Sequence, residues 1–246
     1  SVTNVNEAPT FTSGTSVSVA ENQTAVQTVT GTDVDAGASL TYSIVGGDDS
    51  AKFSITSGGV LTFALAPNYE SPTDSNGDNV YNVTVRVSDG SLTATQTIAV
   101  TVTNVNEAPT DVALSSTSIA ENNAVGAVVG TLSTTDPDAS NTFTYSLVSG
   151  TGSTDNASFT VIGNQLQAAT SFDFETKSSY SIRVRSTDQG GLTTEKTFTI
   201  SVTNVNEAPT FTSGTSVSVA ENQMAVQTVT GTDVDAGASL TYSIVG

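Results

Sequence analysis

The sequence predicts an all-β protein made of tandem seven-stranded Greek-key sandwiches, and three observations lead to this prediction. The nonapeptide V-T-N-V-N-E-A-P-T occurs at 2–10, 102–110 and 202–210, so the chain repeats with a period of 100 residues. The stretch between two copies has the length of an ordinary all-β domain. Short segments within it alternate apolar and polar residues, and no helical periodicity is present. About seven such segments per period are typical of an immunoglobulin-like sandwich.

The repeat also predicts the domain boundaries. Residues 201–246 match residues 1–46 everywhere except at Met224, which stands where Thr24 stands in the first copy. We therefore expect the last repeat to be cut short and the chain to be part of a longer protein. The predicted divisions are the end of a preceding repeat plus linker at 1–8, repeats at 9–108 and 109–208, and the first half of a further repeat at 209–246.

The first repeat opens with two extended segments that lead into acidic loops. Val17 and Val19 alternate with serines and run into A-E-N at 20–22, a polar stop. The second segment extends from Val26 to Thr32 and is followed by D-V-D at 33–35. Each loop thus places a carboxylate at the end of a predicted strand.

The middle of the repeat contains three shorter segments. Residues 40–44 alternate apolar and polar side chains, as expected for a strand with one buried face. Segments 53–55 and 60–63 are separated by G-G at 58–59, which predicts a hairpin turn. A polar loop at 67–79 follows.

Two further alternating segments end the repeat. Alternation at 81–87 ends in the turn Asp89-Gly90, and alternation at 98–102 feeds directly into the next linker. We also expect Ser1 to Thr3 to be the end of a strand of a preceding repeat. The second repeat has the same order, with Phe143, Tyr145, Leu147, Tyr180, Ile182 and Val184 on the corresponding strands.

Composition excludes several function classes. The chain has 24 acidic and 6 basic residues, and its net charge of −18 disfavours nucleic acid and anionic lipid and favours cations. It has no cysteine for disulfides and no histidine, the usual general base and zinc ligand. No run approaches the roughly 18 apolar residues of a spanning helix, and no signal segment opens the chain. We expect no membrane insertion here and an anchor outside this chain.

Acidic elements recur in the same order in both repeats, each at the end of a predicted strand. In a sandwich of alternating strand directions, A-E-N, N-Y-E or D-F-E and the departing linker gather at one end. The D-x-D loop and a later aspartate gather at the other end. Two modules joined end to end would bring the two sets together. The members are Glu21, Glu121 and Glu221; Asp33 and Asp35, Asp136 and Asp138, Asp233 and Asp235; Glu70; Asp173 and Glu175; Asp89 and Asp188.

These elements, in this order and with a proline after each linker, resemble the cadherin repeat. The chain is similar to the bacterial cadherin-like modules of large surface proteins. In cadherins the calcium sites between domains use a glutamate after the first strand, L-D-x-E, a D-x-N-D-N linker, and D-x-D plus a later aspartate from the next module. The resemblance covers both complete repeats and the partial one, and it implies calcium as the bound ion.

The resemblance implies a set of calcium ligands at each joint. For the joint at 104–109 it implies Glu21, Asn68, Glu70, Asn104, Asn106, Glu107, Asp136, Asp138, Asn141 and Asp188. For the joint at 204–209 it implies Glu121, Asp173, Glu175, Asn204, Asn206, Glu207, Asp233 and Asp235, with the counterpart of Asp188 expected beyond Gly246. For the first linker it implies Asn4, Asn6, Glu7, Asp33, Asp35 and Asp89.

The sequence departs from the family pattern at four positions. Asn104 and Glu107 stand where the family has aspartates, Ala108 where it has asparagine, and Asn68 where L-D-x-E has its aspartate. The number of ions per joint is therefore not fixed by the resemblance.

Other interpretations of the polar residues stay open or are disfavoured. Acidic loops also serve solubility and turn formation, but that does not explain their recurring order. The segment 74–79 suits either a cation loop or a plain turn, and the turn is favoured. Paired carboxylates can hydrolyse glycosides, but a catalytic site repeated at every joint without an aromatic cleft is disfavoured. Sugar binding usually needs exposed aromatic side chains. Four tyrosines stand at strand positions that alternation predicts to be buried: Tyr42, Tyr81, Tyr145 and Tyr180. The two aromatic residues near loops, Tyr69 and Phe174, are expected to pack at a joint.

The function expected from the sequence is that of calcium-rigidified cadherin-like modules in an extracellular or cell-surface adhesin, not an enzyme. The expected partners are calcium ions and, for adhesion, the same protein on another cell or a surface polysaccharide. The alternatives are a passive stalk and a carbohydrate-binding module of a secreted polysaccharide-acting protein.

Overall fold

The computed structural model describes residues 3–245 and divides the chain into two compact units, Ser1–Glu107 and Ala108–Gly246. Each unit has its own hydrophobic core. Over residues 3–245 the chain is all-β apart from one short 3-10 turn in each unit, Ser50–Lys52 and Asn156–Ser158. Within the described residues, no helix has the length and apolar character needed to cross a membrane.

The first unit contains nine strands. The four-stranded sheet has the order β2-β9-β8-β5, with β2 parallel to β9 and the other pairs antiparallel. The facing sheet has the order β3-β7-β6, and β1 pairs with β4 beside it. The strands are β1 (Thr10–Phe11), β2 (Ser16–Ala20), β3 (Ala25–Thr28), β4 (Gly31–Thr32), β5 (Thr41–Gly46), β6 (Phe53–Ile55), β7 (Val60–Phe63), β8 (Val80–Ser88) and β9 (Thr93–Thr103).

The core of the first unit follows the period-two pattern of the sequence. Alternate residues of β8 and β9 point into the sandwich and are buried, while the residues between them face solvent. Phe53 and Phe63 stack with ring centroids 4.6 Å apart, and Tyr81 meets Phe63 edge-on at 5.2 Å. The hydroxyl of Tyr81 accepts a hydrogen bond from the backbone nitrogen of Thr73 at 3.0 Å. Tyr81 is therefore a core residue, as predicted.

The second unit repeats this arrangement with different residues. Its sheets have the orders β11-β17-β16-β13 and β10-β12-β15-β14. Phe159, Phe172 and Tyr180 form the aromatic group of its core. The strands are β10 (Asp111–Leu114), β11 (Ser118–Ala120), β12 (Val128–Thr135), β13 (Thr144–Leu147), β14 (Phe159–Ile162), β15 (Gln165–Ala168), β16 (Ser179–Thr187), β17 (Thr193–Thr203), β18 (Thr210–Phe211) and β19 (Gly231–Thr232).

The structure has nine strands within residues 3–107 where the sequence predicted about seven, because β1 was not predicted and one predicted segment is divided. The predicted segment from Val26 to Thr32 is divided into β3 and β4, because the chain changes its hydrogen-bond partner at Thr30. Val29 still donates to the carbonyl of Gly59 beside β7 at 2.7 Å, whereas the carbonyl of Thr30 accepts from Thr12 and Ser13 beside β1. The hairpin between β6 and β7 is confirmed, and Gly59 adopts a φ of 90° there. The strand end predicted at Ser1 to Thr3 falls largely on residues 1 and 2, outside the described residues.

Residues 209–245 form only the short pair β18 and β19. They have the sequence of residues 9–45 apart from Met224, yet they lack counterparts of β2, β3 and β5. Their apolar side chains are correspondingly exposed, Phe211 by 74% and Val229 by 42%. The bounds predicted for the four divisions of the chain stay predictions.

Candidate metal centres at the ends of the units

A buried glutamate at the end of the second strand organises one end of each unit. Glu121 is 4% exposed; its Oε2 accepts from the backbone nitrogen of Phe174 at 2.7 Å and its Oε1 from that of Val205 at 2.7 Å. Glu21 makes the same pair of bonds to Tyr69 and Val105 at 2.8 and 2.9 Å. The A-E-N segment, the N-Y-E or D-F-E loop and the linker therefore meet at one end, as predicted.

Carboxylates converge around this glutamate. In the second unit, Glu121, Asp173 and Glu175 offer oxygens that all lie within 4.8 Å of one another. Glu175, Glu207 and Asp235 form a second such group, so Glu175 belongs to both. In the first unit the corresponding group is Glu21, Glu70 and Glu107. The structure thus brings predicted ligands from four separate sequence elements together at the joint at 204–209.

Amide side chains of the linkers bridge these carboxylates. Asn204 Nδ2 donates to Glu175 Oε1 at 2.8 Å and to Asp235 Oδ1 at 2.9 Å. In the first unit Asn104 Nδ2 donates to Glu70 Oε1 at 3.1 Å. These asparagines reduce the repulsion between neighbouring carboxylates and fix their spacing.

The D-x-D loop that follows the linker at 204–209 is fastened to it by hydrogen bonds. Asp235 Oδ2 accepts from the backbone nitrogen of Glu207 at 2.8 Å, and Asp235 in turn donates its own amide to Asp233 Oδ1 at 3.0 Å. The first linker shows the same contacts, since Asp35 accepts from Glu7 at 2.9 Å and from Asn4 at 2.5 Å.

The later aspartate also reaches the linker. Asn6 Nδ2 donates to Asp89 Oδ2 at 2.7 Å, while Asp89 Oδ1 accepts from the backbone of Ser91 and Leu92. In the second unit Asp188 is buried and its Oδ1 accepts from the backbone of Leu192 at 2.9 Å. Linker, D-x-D loop and later aspartate therefore meet at this end of the first unit.

Two carboxylates at the joint at 204–209 have shifted pKa values. Burial, together with the charges of Glu121, Glu207 and Asp235, raises the pKa of Glu175. Hydrogen bonds from the backbone of Glu207 and the side chain of Asn204 lower the pKa of Asp235. The hydrogen bonds thus stabilise the charged form of Asp235. Glu175 is repelled by the negative charges of its carboxylate neighbours. A cation would relieve this repulsion.

Three carboxylate oxygens at predicted ligand positions are buried and, within residues 3–245, have no hydrogen-bond partner: Asp33 Oδ2, Asp136 Oδ2 and Glu207 Oε2. A buried, unpartnered carboxylate oxygen is costly, because it has lost its water without gaining a donor. Calcium binds six to eight such hard oxygen ligands. The donor set therefore fits a calcium-type cation.

Several predicted ligands are held by neighbouring protein groups. Asn68 Oδ1 accepts from the backbone of Ser71 at 2.7 Å, and Asn141 Oδ1 accepts from Gln189 Nε2. The two oxygens of Asp173 accept from Thr176 at 2.9 Å each, although Asp173 also belongs to a carboxylate group.

Asn106 and Asn206 each donate to the backbone oxygen of the following glutamate. Asp138 is buried and donates its amide to Asp136 Oδ1. Their roles as ligands stay predictions.

Sequence reasoning missed one structural aspartate in each unit, the buried Asp49 and the half-buried Asp155. Asp49 accepts from the backbone of Ser75 and Asn82 at 2.7 and 2.8 Å. Asp155 accepts from the backbone of Ser181 at 2.7 Å and from Lys177 Nζ at 2.5 Å. The shared pattern D-x-x-x-F, at 49–53 and 155–159, is the signal that could have revealed them.

The loop at 74–79 is organised by its own backbone. Asp74 is buried, and its oxygens accept from the backbone nitrogens of Asp78 at 2.9 Å and Asn79 at 3.3 Å. Asp78 Oδ1 accepts from the backbone of Val80. These bonds favour the turn over a cation loop, because they occupy the oxygens that an ion would need.

Comparison with protein families decides the family. The model of the cadherin domain matches residues 15–103 and 115–203, which together make up more than half of the chain. The chain belongs to the cadherin family. This confirms the predicted tandem cadherin repeats and agrees with the sandwich seen in the structure.

Individual relatives are consistent with this family. The chain is 30% identical to human protocadherin Fat 4 over 218 residues, or 82% of this chain, and 31% identical to human protocadherin Fat 1 over 205 residues, or 78%. It spans only 4% of the length of each. It is 33% identical to Drosophila melanogaster dachsous over 141 residues, 54% of this chain.

Solved structures of cadherin domains resemble the chain. The crystal structure of the protocadherin GammaB4 extracellular domain gives a TM-score of 0.64 at 26% identity, covering 96% of this chain and 39% of that one. Mouse cadherin-23 EC22-24 gives 0.64 at 25% identity, covering 95% and 80%. Cadherin domains are modules of adhesion proteins rather than enzymes. The bacterial origin stays a prediction, since the relatives named here are animal proteins.

Proposed function

We propose that this chain is a calcium-binding, calcium-rigidified segment of an extracellular adhesin. The observation that best supports the proposal is the environment of Glu207. This residue shares a carboxylate group with Glu175 and Asp235, and its buried Oε2 has no hydrogen-bond partner among the described residues. A calcium ion bound between these residues would supply the missing partner and offset the clustered charge.

The joint at 104–109 is proposed to bind calcium in the same way. Its linker has the same sequence as the linker at 204–209, and Glu21, Glu70 and Glu107 form a carboxylate group of their own. The next module offers Asp136, Asp138 and Asp188. Those six carboxylates would be roughly neutralised by two or three divalent ions.

Calcium would stiffen such a joint because the carboxylates repel one another without it. Two charges about 6 Å apart repel by roughly 0.7 kcal/mol even at the dielectric constant of water, before salt screening. Summed over the pairs of six carboxylates, the repulsion opposes close approach of the two ligand sets by several kcal/mol. Bound calcium reverses the sign of this interaction, so the joint changes from a hinge to a rigid connection.

The proposed location is the cell surface or extracellular space. Extracellular calcium modules commonly bind with dissociation constants of about 10⁻⁴ to 10⁻³ M, so they fill outside cells and not in the cytosol. The relatives named above include an extracellular domain of a protocadherin. The anchor is proposed to lie outside this chain.

Calorimetric calcium titration tests the binding site directly. We expect Glu207→Gln to remove or weaken one component of the heat, because it neutralises a carboxylate of the proposed site. Glu195→Gln is the matched control, since Glu195 is a carboxylate paired with Arg183 and Arg185 that belongs to none of these carboxylate groups. Equal heats for the parent chain and Glu207→Gln would rule out this site.

Adhesion is tested separately from calcium binding. Beads coated with the chain are expected to aggregate in calcium and to disperse in chelator. Beads that remain dispersed in both conditions would favour a passive stalk. Binding on a glycan array would favour a carbohydrate-binding module.

A further inference from the structure

An asparagine follows the buried glutamate in each unit, and its backbone is left-handed. Asn22 has a φ of 62° and Asn122 a φ of 56°, a conformation that asparagine and glycine tolerate best. The backbone nitrogen of Asn22 donates to the carbonyl of Pro67, and that of Asn122 to the carbonyl of Phe172, both at 2.9 Å. The residue thus ends the strand and turns the side chain towards the linker.

Each of these side chains reaches a linker glutamate 85 residues later. Asn22 Nδ2 donates to Glu107 Oε1 at 2.6 Å, and Asn122 Nδ2 donates to Glu207 Oε1 at 2.6 Å. The two units differ in most of their strand residues, so the bond recurs independently of the surrounding core. Neither asparagine was predicted as a ligand, and a donating amide nitrogen cannot coordinate a cation.

The hydrogen bond from Asn122 fixes the orientation of the Glu207 carboxylate. Glu207 Oε1 is occupied by Asn122, whereas Oε2 is buried and, within residues 3–245, has no hydrogen-bond partner. The same glutamate belongs to the carboxylate group with Glu175 and Asp235. We infer that Asn122 is a positioning residue, which orients Glu207 so that one of its oxygens remains available to a divalent cation, and that Asn22 holds Glu107 by the same bond. This inference rests on the proposed calcium function and adds a residue to it.

The residue type suits this role better than its alternatives. Glycine would accept the left-handed backbone but has no side-chain donor. Aspartate would also accept that backbone but would place a further negative charge against Glu207. Asparagine combines the backbone conformation with a neutral donor.

Asn122→Gly removes the side-chain donor while keeping a residue that accepts the left-handed backbone. Asn222→Gly is the control. Asn222 lies in the same A-E-N sequence with a φ of 63°, but the counterpart of Glu207 would lie beyond Gly246. We expect Asn122→Gly to weaken calcium binding at the joint at 204–209 by about tenfold or more, as for the loss of other outer-shell partners. Asn222→Gly is expected to leave the affinity unchanged. Equal loss in both variants, or no loss in either, would overturn the inference.

A calcium-free measurement distinguishes failure of this inference from failure of the calcium proposal. In chelator, the NMR signals of the Glu207 side-chain carboxyl carbon and the Asn122 side-chain amide report the bond without any ion. We expect the Glu207 signal to shift in Asn122→Gly and not in Asn222→Gly. If the parent chain binds no calcium, the proposed function fails, and with it the ligand-orienting role. An unshifted Glu207 signal overturns the positioning bond alone.

Discussion

Glu121 Oε1 lies 2.7 Å from the backbone nitrogen of Val205, so a carboxylate at the end of β11 holds the exit of β17 into the linker. We expect Glu121→Ala to destabilise the second unit by about 2 kcal/mol, because two backbone donors lose a charged acceptor. Hydrogen exchange of the Val205 and Phe174 amides should become faster. Glu221→Ala is the control, since Glu221 has the same sequence context and is exposed. Unchanged exchange at Val205 would show that the bond does not hold the linker.

The repeated sequence offers a matched test of core packing. Val29 is fully buried, whereas Val229 is 42% exposed although it stands at the same place in the repeat. We expect Val29→Ala to lower the free energy of unfolding of the first unit by about 2 kcal/mol. Val229→Ala should change stability by less than about 0.5 kcal/mol. Denaturant unfolding of the parent chain and of both variants measures the two effects, with hydrogen exchange in β7 and β9 reporting the first unit, and equal effects would contradict the difference in packing.

Two hairpin glycines are predicted to differ in their tolerance of alanine. A Cβ on Gly59 would lie 2.2 Å from the carbonyl oxygen of Val29, and its φ is 90°. Gly163, in the corresponding hairpin, has a φ of 60° and open space around a Cβ. We expect Gly59→Ala to cost about 3 kcal/mol or more and Gly163→Ala about 1 kcal/mol. A thermal denaturation series compares them, and similar shifts in midpoint would contradict the predicted clash.

The Asp155–Lys177 pair predicts a pH dependence of the second unit. Burial would by itself raise the pKa of Asp155, but hydrogen bonds from Lys177 and the backbone of Ser181 outweigh it, so the pKa is lowered. A lowered pKa means that the stability contribution is present above the unfolded value of about 3.9 and is lost as the pH falls through the folded pKa. Asp155→Asn should therefore cost about 1–3 kcal/mol at pH 7, and this cost should decrease as the pH falls below about 3.9 towards the folded pKa. Unfolding measured from pH 7 to pH 3 checks this, and a cost that is constant with pH would contradict it.

Removal of calcium is predicted to loosen the joints. We expect small-angle scattering to show a larger maximum dimension and narrower distance distribution in calcium than in chelator, because the clustered carboxylates repel without the ion. Added monovalent salt should reduce this difference by screening the repulsion. The same maximum dimension in calcium and in chelator would contradict calcium stiffening.

The sequence predicted the parts of the site that depend on strand polarity. Alternation located the strands, and a carboxylate after each strand had to lie at one of the two ends of the sandwich. The roles of Asn122 and Asp155 could not be predicted in this way. Their partners, Glu207 and Ser181, lie 85 and 26 residues away, and only the packing of loops against linker and strand brings each pair into contact.

The near-identical segments 9–45 and 209–245 separate what the sequence determines from what the tertiary structure decides. Both copies form the short strand pair and the D-x-D loop, in which Asp35 and Asp235 donate to Asp33 and Asp233. These features close over a few residues and need only local hydrogen bonds. Strands β2, β3 and β5 are present only in the first copy, because their hydrogen-bond partners are β9, β7 and β8. Among the described residues the second copy has no such partners, and the same residues are exposed there.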